Sequence, residues 1–270
     1  MNRRVLFLCP GAYVLTKRMD SIDKRFGVMC YHVIPIIYLY FLYHTFNIWT
    51  VGCSFLLVYA FYSQYEIGYI YNDTETIKTE NEPSKRLDTD EISYYESRKI
   101  QIYCIHFVCF LLFFPLLFYI EEDKVFLLYA FCAMFIEILL FFIYNRIRAK
   151  KSLIVFFFLE LFKYLPFVNL QRVTDISLTL LVIAMIYAIP NTIERLSFER
   201  YHILFMQKLL PSKFCYLKFR IAFYFISCVF VLWNNSLIIY LPLFIFLLTF
   251  RSLAFFKIKL NQNKRISDEK

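Results

Sequence analysis

Glycine is scarce in this chain, which has only 4 glycines among 270 residues. Neither the GxGxxG pattern of dinucleotide-binding folds nor the GxxxxGK[ST] loop that holds nucleotide phosphates occurs. Charged residues are also few, at 19% of the chain against about 25% in an average soluble domain. These shortages exclude the common nucleotide-binding motifs and argue against a soluble enzyme.

Paired cysteine motifs are missing as well. The chain has 8 cysteines but no CxxC pair, and most of them lie inside apolar runs, as is typical of buried free thiols. Aromatic residues, in contrast, are abundant, with 33 Phe and 22 Tyr. Disordered chains are poor in aromatics, so disorder is excluded too. The remaining class is a polytopic membrane protein.

The apolar residues fall into long runs, and a membrane-spanning helix needs about 20 of them. Because lipid offers no hydrogen-bond partner to an open strand edge, the spans are predicted to be helices. We therefore predict an all-α, polytopic transmembrane helix bundle of about eight to nine spans, as a single membrane domain over residues 1–270. The eight predicted spans are 28–46, 50–71, 101–120, 125–145, 152–168, 174–190, 215–233 and 236–256.

Basic residues predict how the spans face. Of the 30 Lys and Arg residues, 27 fall on one side of the eight spans, which the positive-inside rule assigns to the cytoplasm. Both termini then lie in the cytoplasm, and the expected location is a bacterial inner membrane. The sequence contains no aromatic and basic module of the kind that binds nucleic acid. We therefore expect the excess of basic residues to face the bilayer surface rather than a nucleic acid. The predicted cytoplasmic parts are the N-terminal segment 1–27, the polar loops 72–100 and 191–214, and the tail 257–270.

The N-terminus holds a shorter apolar run, 5–15, between basic residues. No small-x-small cleavage site follows it, although the run itself resembles the core of a signal peptide. The pattern favours a short helix that lies on the membrane surface.

The loop 72–100 carries the strongest chemical signal. If the second span continues as a helix, Asp73, Thr76 and Glu80 share one face. Together with Asn72, the two carboxylates would offer hard oxygen ligands to Mg²⁺, which binds proteins through one or two carboxylates plus substrate phosphates. Lys85 and Arg86 follow and supply donors for the same phosphates. The alternative is a solvated charged loop.

These residues resemble a known family. The UbiA superfamily of membrane prenyltransferases carries NDxxDxxxD at the cytoplasmic end of its second helix. Asn72, Asp73 and Glu80 match its first, second and last positions, with Glu for Asp at the last. The central Asp position is Thr76, and Glu75 is the nearest acid that could replace it. The run 83–86, Pro-Ser-Lys-Arg, is similar to the HPTKR run of the decaprenyl-phosphate phosphoribosyltransferase branch.

A second polar loop extends the resemblance. In 191–201 the run Phe-Glu-Arg-Tyr at 198–201 is similar to the FGKRY run of the same branch. The resemblance implies a Mg²⁺-dependent transferase acting on an isoprenoid, with Asp73, Lys85 and Arg86 as catalytic residues and Asn72, Asp73 and Glu80 as metal ligands. The implied partners are a lipid-linked isoprenoid and a diphosphate donor. The implied substrate-binding residues are Arg195, Arg200, Tyr201 and Glu66.

Three functions follow from these patterns. The first is phosphoribosyl transfer from phosphoribosyl diphosphate to polyprenyl phosphate. The second is prenyl transfer from a prenyl diphosphate to an aromatic or other acceptor. The third is a non-enzymatic transporter or envelope-assembly protein, which the missing central Asp favours. Ionisable residues inside the apolar runs are often functional, and they would suit a transporter too: Glu66, Glu137, Glu160 and Lys163.

Overall fold

The all-α class is confirmed. The structure, a computed structural model, describes residues 3–79, 85–147 and 150–268, and every regular element within these ranges is helical. The α-helices of the described ranges are α1 (Arg3–Leu8), α2 (Ile22–Val28), α3 (Ile34–Phe41), α4 (Ile48–Thr74), α5 (Thr89–Ile120), α6 (Lys124–Arg146), α7 (Ser152–Phe162), α8 (Ile176–Ile183), α9 (Ile189–Leu196), α10 (Leu204–Leu209), α11 (Lys213–Trp233) and α12 (Leu241–Asp268).

Shorter turns join several of these helices. Those with π-helical geometry are Val14–Arg18, Met29–Val33 and Ala184–Ala188, and those with 3₁₀ geometry are Thr76–Thr79, Leu165–Phe167, Glu199–Tyr201 and Asn235–Tyr240. A π-helical turn disrupts the regular hydrogen-bond ladder of a helix. In the turn between α8 and α9, the hydroxyl of Tyr224 donates to the carbonyl oxygen of Ile186 at 2.9 Å and so satisfies that acceptor.

Five helical segments in the described ranges are long and apolar enough to cross a membrane, which indicates an integral membrane protein. They are Thr89–Ile120, Lys124–Arg146, Ile176–Leu196, Lys213–Trp233 and Asn235–Leu260, and each contains all or most of one predicted span. The predicted spans 28–46 and 50–71 lie largely in α2–α3 and in α4. The predicted span 152–168 contains α7, whose 11 residues cover only about 16 Å.

Side-chain caps fix where the long helices begin. Asn47 and Asp88 each close a capping box at the start of α4 and α5, and Asp123 and Ser212 cap α6 and α11. Each cap satisfies backbone N–H groups that the first turn leaves without a helical partner. Because of the Asp88 cap, α5 begins about three turns before its apolar run. The segment 72–100, predicted as a loop, therefore includes helical residues of α5.

The chain forms two compact units. Unit 1 contains 1–148 and 162–171, and unit 2 contains 149–161 and 172–270. In unit 1, α4 packs along α5 and also against α6; in unit 2, α11 packs along α12.

The N-terminal residues of unit 1 do not follow the sequence expectation. Leu6, Phe7, Tyr13 and Val14 are buried rather than spread on a membrane surface. Phe7 stacks on Tyr94 of α5, with ring centroids 5.9 Å apart. The segment is therefore part of the core of unit 1.

Candidate functional site

Asp73 in the last turn of α4 is the centre of the candidate site. Its side chain is fully buried and accepts four hydrogen bonds. The donors are the Tyr13 hydroxyl at 2.9 Å, the guanidinium groups of Arg18 at 2.6 Å and Arg86 at 2.8 Å, and the Asn72 amide at 3.2 Å. A buried carboxylate is stable only when charge and hydrogen bonds compensate it, and this one has both.

The donors reach Asp73 from three parts of the chain. Arg86 lies 13 residues further along and Arg18 lies 55 residues before it. Burial, together with the negative charge of Asp73, raises the pKa of Tyr13, so its hydroxyl keeps the proton that it donates. Lys85, beside Arg86, is exposed. Of the predicted catalytic residues, the structure thus brings Asp73 and Arg86 into contact.

Glu66 lies two turns deeper on α4, about 10 Å from Asp73 along the helix axis. Its carboxylate is fully buried and accepts backbone N–H groups of the N-terminal segment, from Gly11 at 2.5 Å and Val14 at 2.7 Å. Gly11 has a positive φ of 89°, a conformation that glycine adopts without steric cost. Glu66 therefore holds the backbone of the N-terminal segment rather than lining an open cavity.

His106 on α5 completes this deeper contact. Its two ring nitrogens face the carbonyl oxygens of Ser63 at 3.1 Å and Phe7 at 3.0 Å. Its Nδ1 also lies 3.7 Å from the Glu66 carboxylate. The histidine thus ties α5 to both α4 and the N-terminal segment.

We name residues 3–18 the strap, because they lie across α4 and α5. Two ion pairs fix the strap to the start of α5, one between Arg3 and Asp90 and one between Lys17 and Glu91, the latter at 2.7 Å. Sequence reasoning missed the strap, because its contacts join residues more than 50 positions apart. The signal that could have revealed it is a run of only about ten apolar residues, too short to span a membrane, with basic residues on both sides.

Glu75 belongs to a different cluster. Its carboxylate accepts from Tyr95 at 2.7 Å, from Lys78 at 3.2 Å and from Lys99. Burial alone would raise the pKa of Glu75, but these hydrogen bonds outweigh it and lower the pKa to about 2. Glu75 therefore does not take the place of the missing central acid beside Asp73. The next residue, Thr76, which occupies the central position of the motif, is buried.

The predicted metal site is only partly covered by the structure, since Glu80 lies outside the described residues. Within the described ranges, no group of three or more His, Cys, Asp or Glu side chains is arranged to hold a metal ion. Asn72 and Asp73 offer oxygen atoms of the type that Mg²⁺ prefers. The Asp73 oxygens are, however, engaged by guanidinium groups in this arrangement.

The predicted residues of the second polar loop all lie in unit 2. The Arg195 guanidinium lies 3.7 Å from the ring centroid of Phe156, and that of Arg200 lies 4.8 Å from the ring centroid of Tyr201. Tyr201 is buried, and its hydroxyl is 3.3 Å from the Ser152 hydroxyl. Both arginines thus lie over aromatic rings, which is a common cation–π arrangement.

Unit 2 also contains a buried polar network. Arg220 on α11 donates to both carboxylate oxygens of Glu194 and to the amide oxygen of Asn191 on α9. The Asn191 amide donates in turn to Glu160 on α7 at 2.5 Å. In the sequence, Arg220, Glu194 and Glu160 lie within or next to apolar runs, which is the signal for such a network. Of the three, only Glu160 is a candidate identified from the sequence.

Two further ionisable residues from the apolar runs lie in unit 1. Glu137 on α6 accepts from the Gln64 amide of α4 at 3.0 Å, and both side chains are fully buried. The Lys163 ammonium lies 5.1 Å from the ring centroid of Tyr65. Each is therefore in contact with a residue of α4.

The predicted site residues thus divide between the units. Asn72, Asp73 and Arg86 form one cluster in unit 1, with Glu66 deeper on the same helix. Arg195, Arg200 and Tyr201 belong to unit 2. No protein-family model, curated protein or solved structure matches the chain.

Proposed function

We propose that the chain is a Mg²⁺-dependent membrane transferase of UbiA type that acts on an isoprenoid substrate. Its preferred reaction is phosphoribosyl transfer from phosphoribosyl diphosphate to a polyprenyl phosphate. The protein would be a multi-pass protein of a bacterial inner membrane, with both termini and the Asp73 cluster on the cytoplasmic side. The apolar helices support the membrane environment, and the basic residues support this orientation.

The observation that carries the proposal is the charge balance around Asp73. Two guanidinium groups, from Arg18 and Arg86, face one carboxylate. The three groups together leave one positive charge, and Lys85 lies next to Arg86. Guanidinium groups bind phosphate through paired hydrogen bonds, so the cluster suits a substrate with a phosphate or diphosphate group.

The residues present suit Mg²⁺ by donor type. Asn72, Asp73 and Glu80 would hold the ion, whose contribution is to neutralise the charge that develops on a leaving diphosphate. Arg86 and Lys85 would stabilise the same charge by hydrogen bonding. In the bond-making step, a phosphate oxygen of the polyprenyl phosphate attacks C1 of the phosphoribosyl group, and the bond from C1 to the diphosphate breaks.

The polar residues of unit 2 predicted from the sequence suit a phosphate group by their chemistry. Arg195 and Arg200 supply positive charge, and Tyr201 supplies a hydroxyl. Glu66, which in this arrangement holds the strap, is the proposed binding residue deeper in unit 1.

The test is a transfer assay on purified protein in lipid nanodiscs. Radiolabelled phosphoribosyl diphosphate and polyprenyl phosphate are supplied with Mg²⁺ or with EDTA, and labelled lipid is measured. We expect labelled lipid only with Mg²⁺. If none forms, the assay is repeated with prenyl diphosphate as the donor and an aromatic compound as the acceptor. Prenyl transfer would use the same site. Failure with both donors in folded protein contradicts the transferase proposal.

The matched variants are Asp73→Asn and Glu137→Gln. Both replace a fully buried carboxylate in unit 1 with an amide, but Glu137 contacts Gln64 of α4 rather than the arginine cluster. We expect Asp73→Asn to lower turnover about 100-fold or more, and Glu137→Gln to keep it within a few-fold. Equal losses in two equally well-folded variants would mean that the Asp73 cluster has no special role.

One observation favours a non-enzymatic transporter or assembly protein as a second candidate. The Asp73 carboxylate is fully buried and already paired with two arginines, an arrangement that also serves structure alone. Movement of a labelled polyprenyl phosphate across proteoliposomes, without bond formation and without Mg²⁺, would support that candidate.

A further inference from the structure

We propose that the exposed face of α10 in unit 2 docks on the surface of the bilayer, and that the lysines on and beside this face select anionic lipid headgroups. The partner is therefore a lipid surface of negative charge. The inference goes beyond the proposed function and does not depend on it, because it uses only residues of unit 2 and the membrane environment that the apolar helices indicate.

The place of α10 in the chain puts it beside the membrane. It lies within residues 197–212, between Ile176–Leu196 and Lys213–Trp233, and both of these segments are long and apolar enough to cross a bilayer. Two consecutive crossings leave the residues between them on one side of the membrane. The 6 residues of α10 cover only about 9 Å of a hydrocarbon core about 30 Å thick, so α10 itself does not cross.

Buried residues on both sides of α10 fix the direction in which it faces. Tyr201 before the helix and Leu210 after it are buried, and the Tyr201 hydroxyl lies 3.3 Å from the Ser152 hydroxyl at the start of α7. Between Tyr201 and α10, His202 has a positive φ of 51°, a left-handed conformation that commonly ends a helical turn. The chain therefore changes direction at His202 and returns to the protein at Leu210.

The exposed face of α10 is apolar except for one lysine. It consists of Leu204, Phe205, Lys208 and Leu209, which helical geometry places within about 140° of one another. Leu204 is 70% exposed, Phe205 72% and Leu209 57%, whereas Met206 and Gln207 on the other side are half-buried. Large apolar side chains grouped on an exposed face mark an interaction surface. A lysine among them can lay its apolar stem along the face and keep its ammonium at the level of the headgroups.

The charge around α10 favours anionic over neutral lipid. Residues 197–218 contain four basic side chains and one acidic side chain, and Lys208, Lys213 and Lys218 are all exposed. A helix on the membrane surface is held by burial of its apolar face and by attraction of its basic residues to anionic headgroups. Because the flanking segments tether α10 to the membrane, even a short apolar face meets lipid at a high local concentration.

The same charge argues against a second copy of the chain as the occupant of this face. A symmetric contact between two copies would bring Lys208 and Lys213 of one copy toward the same residues of the other. Like charges placed opposite one another oppose association. A bilayer surface of negative charge covers the apolar side chains without this repulsion.

A single tryptophan on the exposed face tests the docking, in nanodiscs that each hold one copy of the full chain. The background variant carries Trp49→Phe and Trp233→Phe, since both native tryptophans are exposed. Phe205→Trp places the reporter on the face, and Gln207→Trp places the control on the other side of α10. Brominated phospholipid quenches a tryptophan that touches lipid, and iodide quenches one that is open to water. We expect brominated lipid to quench the reporter at 205 about threefold more than the control at 207.

A pair of double variants tests the choice of lipid. At equal mole fraction, brominated phosphatidylglycerol should quench the reporter at 205 about threefold more than brominated phosphatidylcholine. Lys208→Ala with Lys213→Ala should bring this ratio to about one. The matched control is Lys257→Ala with Lys259→Ala, which removes the same charge from exposed positions of α12 and should leave the ratio unchanged. Thermal melting verifies that each variant is folded.

Each contrary result has a defined meaning. A reporter at 205 that iodide quenches and brominated lipid does not would lie in water, which overturns the docking. Protection from iodide only in discs that hold two copies would identify a second copy as the occupant and also overturn it. Equal quenching by the two lipids, with and without the lysines, overturns the selection of anionic headgroups. None of these results depends on Asp73, so the failure of the transfer assay and the failure of this proposal are separate outcomes.

Discussion

Asp73 and Glu75 are two residues apart, yet they have different partners. Successive residues of an α-helix are separated by about 100°, so positions two apart point to nearly opposite faces. Asp73 pairs with Arg18 and Arg86, whereas Glu75 pairs with Lys99 of α5. Because Glu75 lies on the opposite face of α4 from Asp73, it cannot replace the missing central Asp of the motif.

The low pKa of Glu75 predicts a pH-dependent stability. Hydrogen bonds hold its pKa at about 2 in the folded protein, against an ordinary value of 4.5. Its contribution is fully present above pH 4.5 and is lost as the pH falls from 4.5 toward 2. We expect Glu75→Gln to cost about 2 kcal/mol at pH 7, with a melting-temperature difference from wild type that shrinks toward pH 3.

The control for this prediction is Asp20→Asn. Asp20 pairs with Lys24, and both side chains are more than half exposed, so this variant should melt within about a degree of wild type at pH 7. A Glu75→Gln difference that stays constant from pH 7 to pH 3 would show that the carboxylate charge is not the cause.

At the scale of helices, Gly68 determines how closely α4 approaches α6. A Cβ added at Gly68 would lie 2.6 Å from ring carbons of Phe141, far inside van der Waals contact. We expect Gly68→Ala to destabilise the protein by about 1–3 kcal/mol, because the Phe141 ring or the helix that carries it must shift. The measurement is the melting temperature in nanodiscs.

The same helix provides the matched control. Gly52 also lies in α4, and a Cβ there meets no atom within 4 Å. Alanine is the better helix former, so Gly52→Ala should be neutral or stabilising by up to about 1 kcal/mol. If the two variants melted alike, close packing at Gly68 would not be what limits the helix pair.

Local sequence patterns predicted the helices and only the local part of the site. Asn72, Asp73 and Arg86 lie within 15 residues of one another, so their grouping followed from a motif. Tyr13 and Arg18 reach Asp73 only through the folding of a distant segment, and no periodicity encodes such a contact. The apolar run 5–15, with basic residues on both sides and no cleavage site, predicts a helix on the membrane surface, whereas packing against α4 and α5 buries Leu6, Phe7, Tyr13 and Val14.

At the scale of the whole molecule, the number of membrane crossings determines the sides of the termini. Five crossings alone would place the termini on opposite sides, whereas the eight predicted spans put 27 of the 30 basic residues on one side. We expect the three other predicted spans, which lie in α2–α3, α4 and the segment 152–168, to bring the number of crossings to eight. With eight crossings, the positive-inside rule would place both termini in the cytoplasm.

Reporter fusions test this topology. We expect a fluorescent protein that matures only in the cytoplasm to be active at either terminus, and alkaline phosphatase, which is active only outside, to work after Glu122 between α5 and α6. The fusion in the turn at 121–123 is the control for an outside position. Three predicted crossings, an odd number, separate this turn from the N-terminus. Phosphatase activity at the C-terminus with fluorescence at the N-terminus would mean an odd number of crossings. At least one of the three segments would then not cross the bilayer.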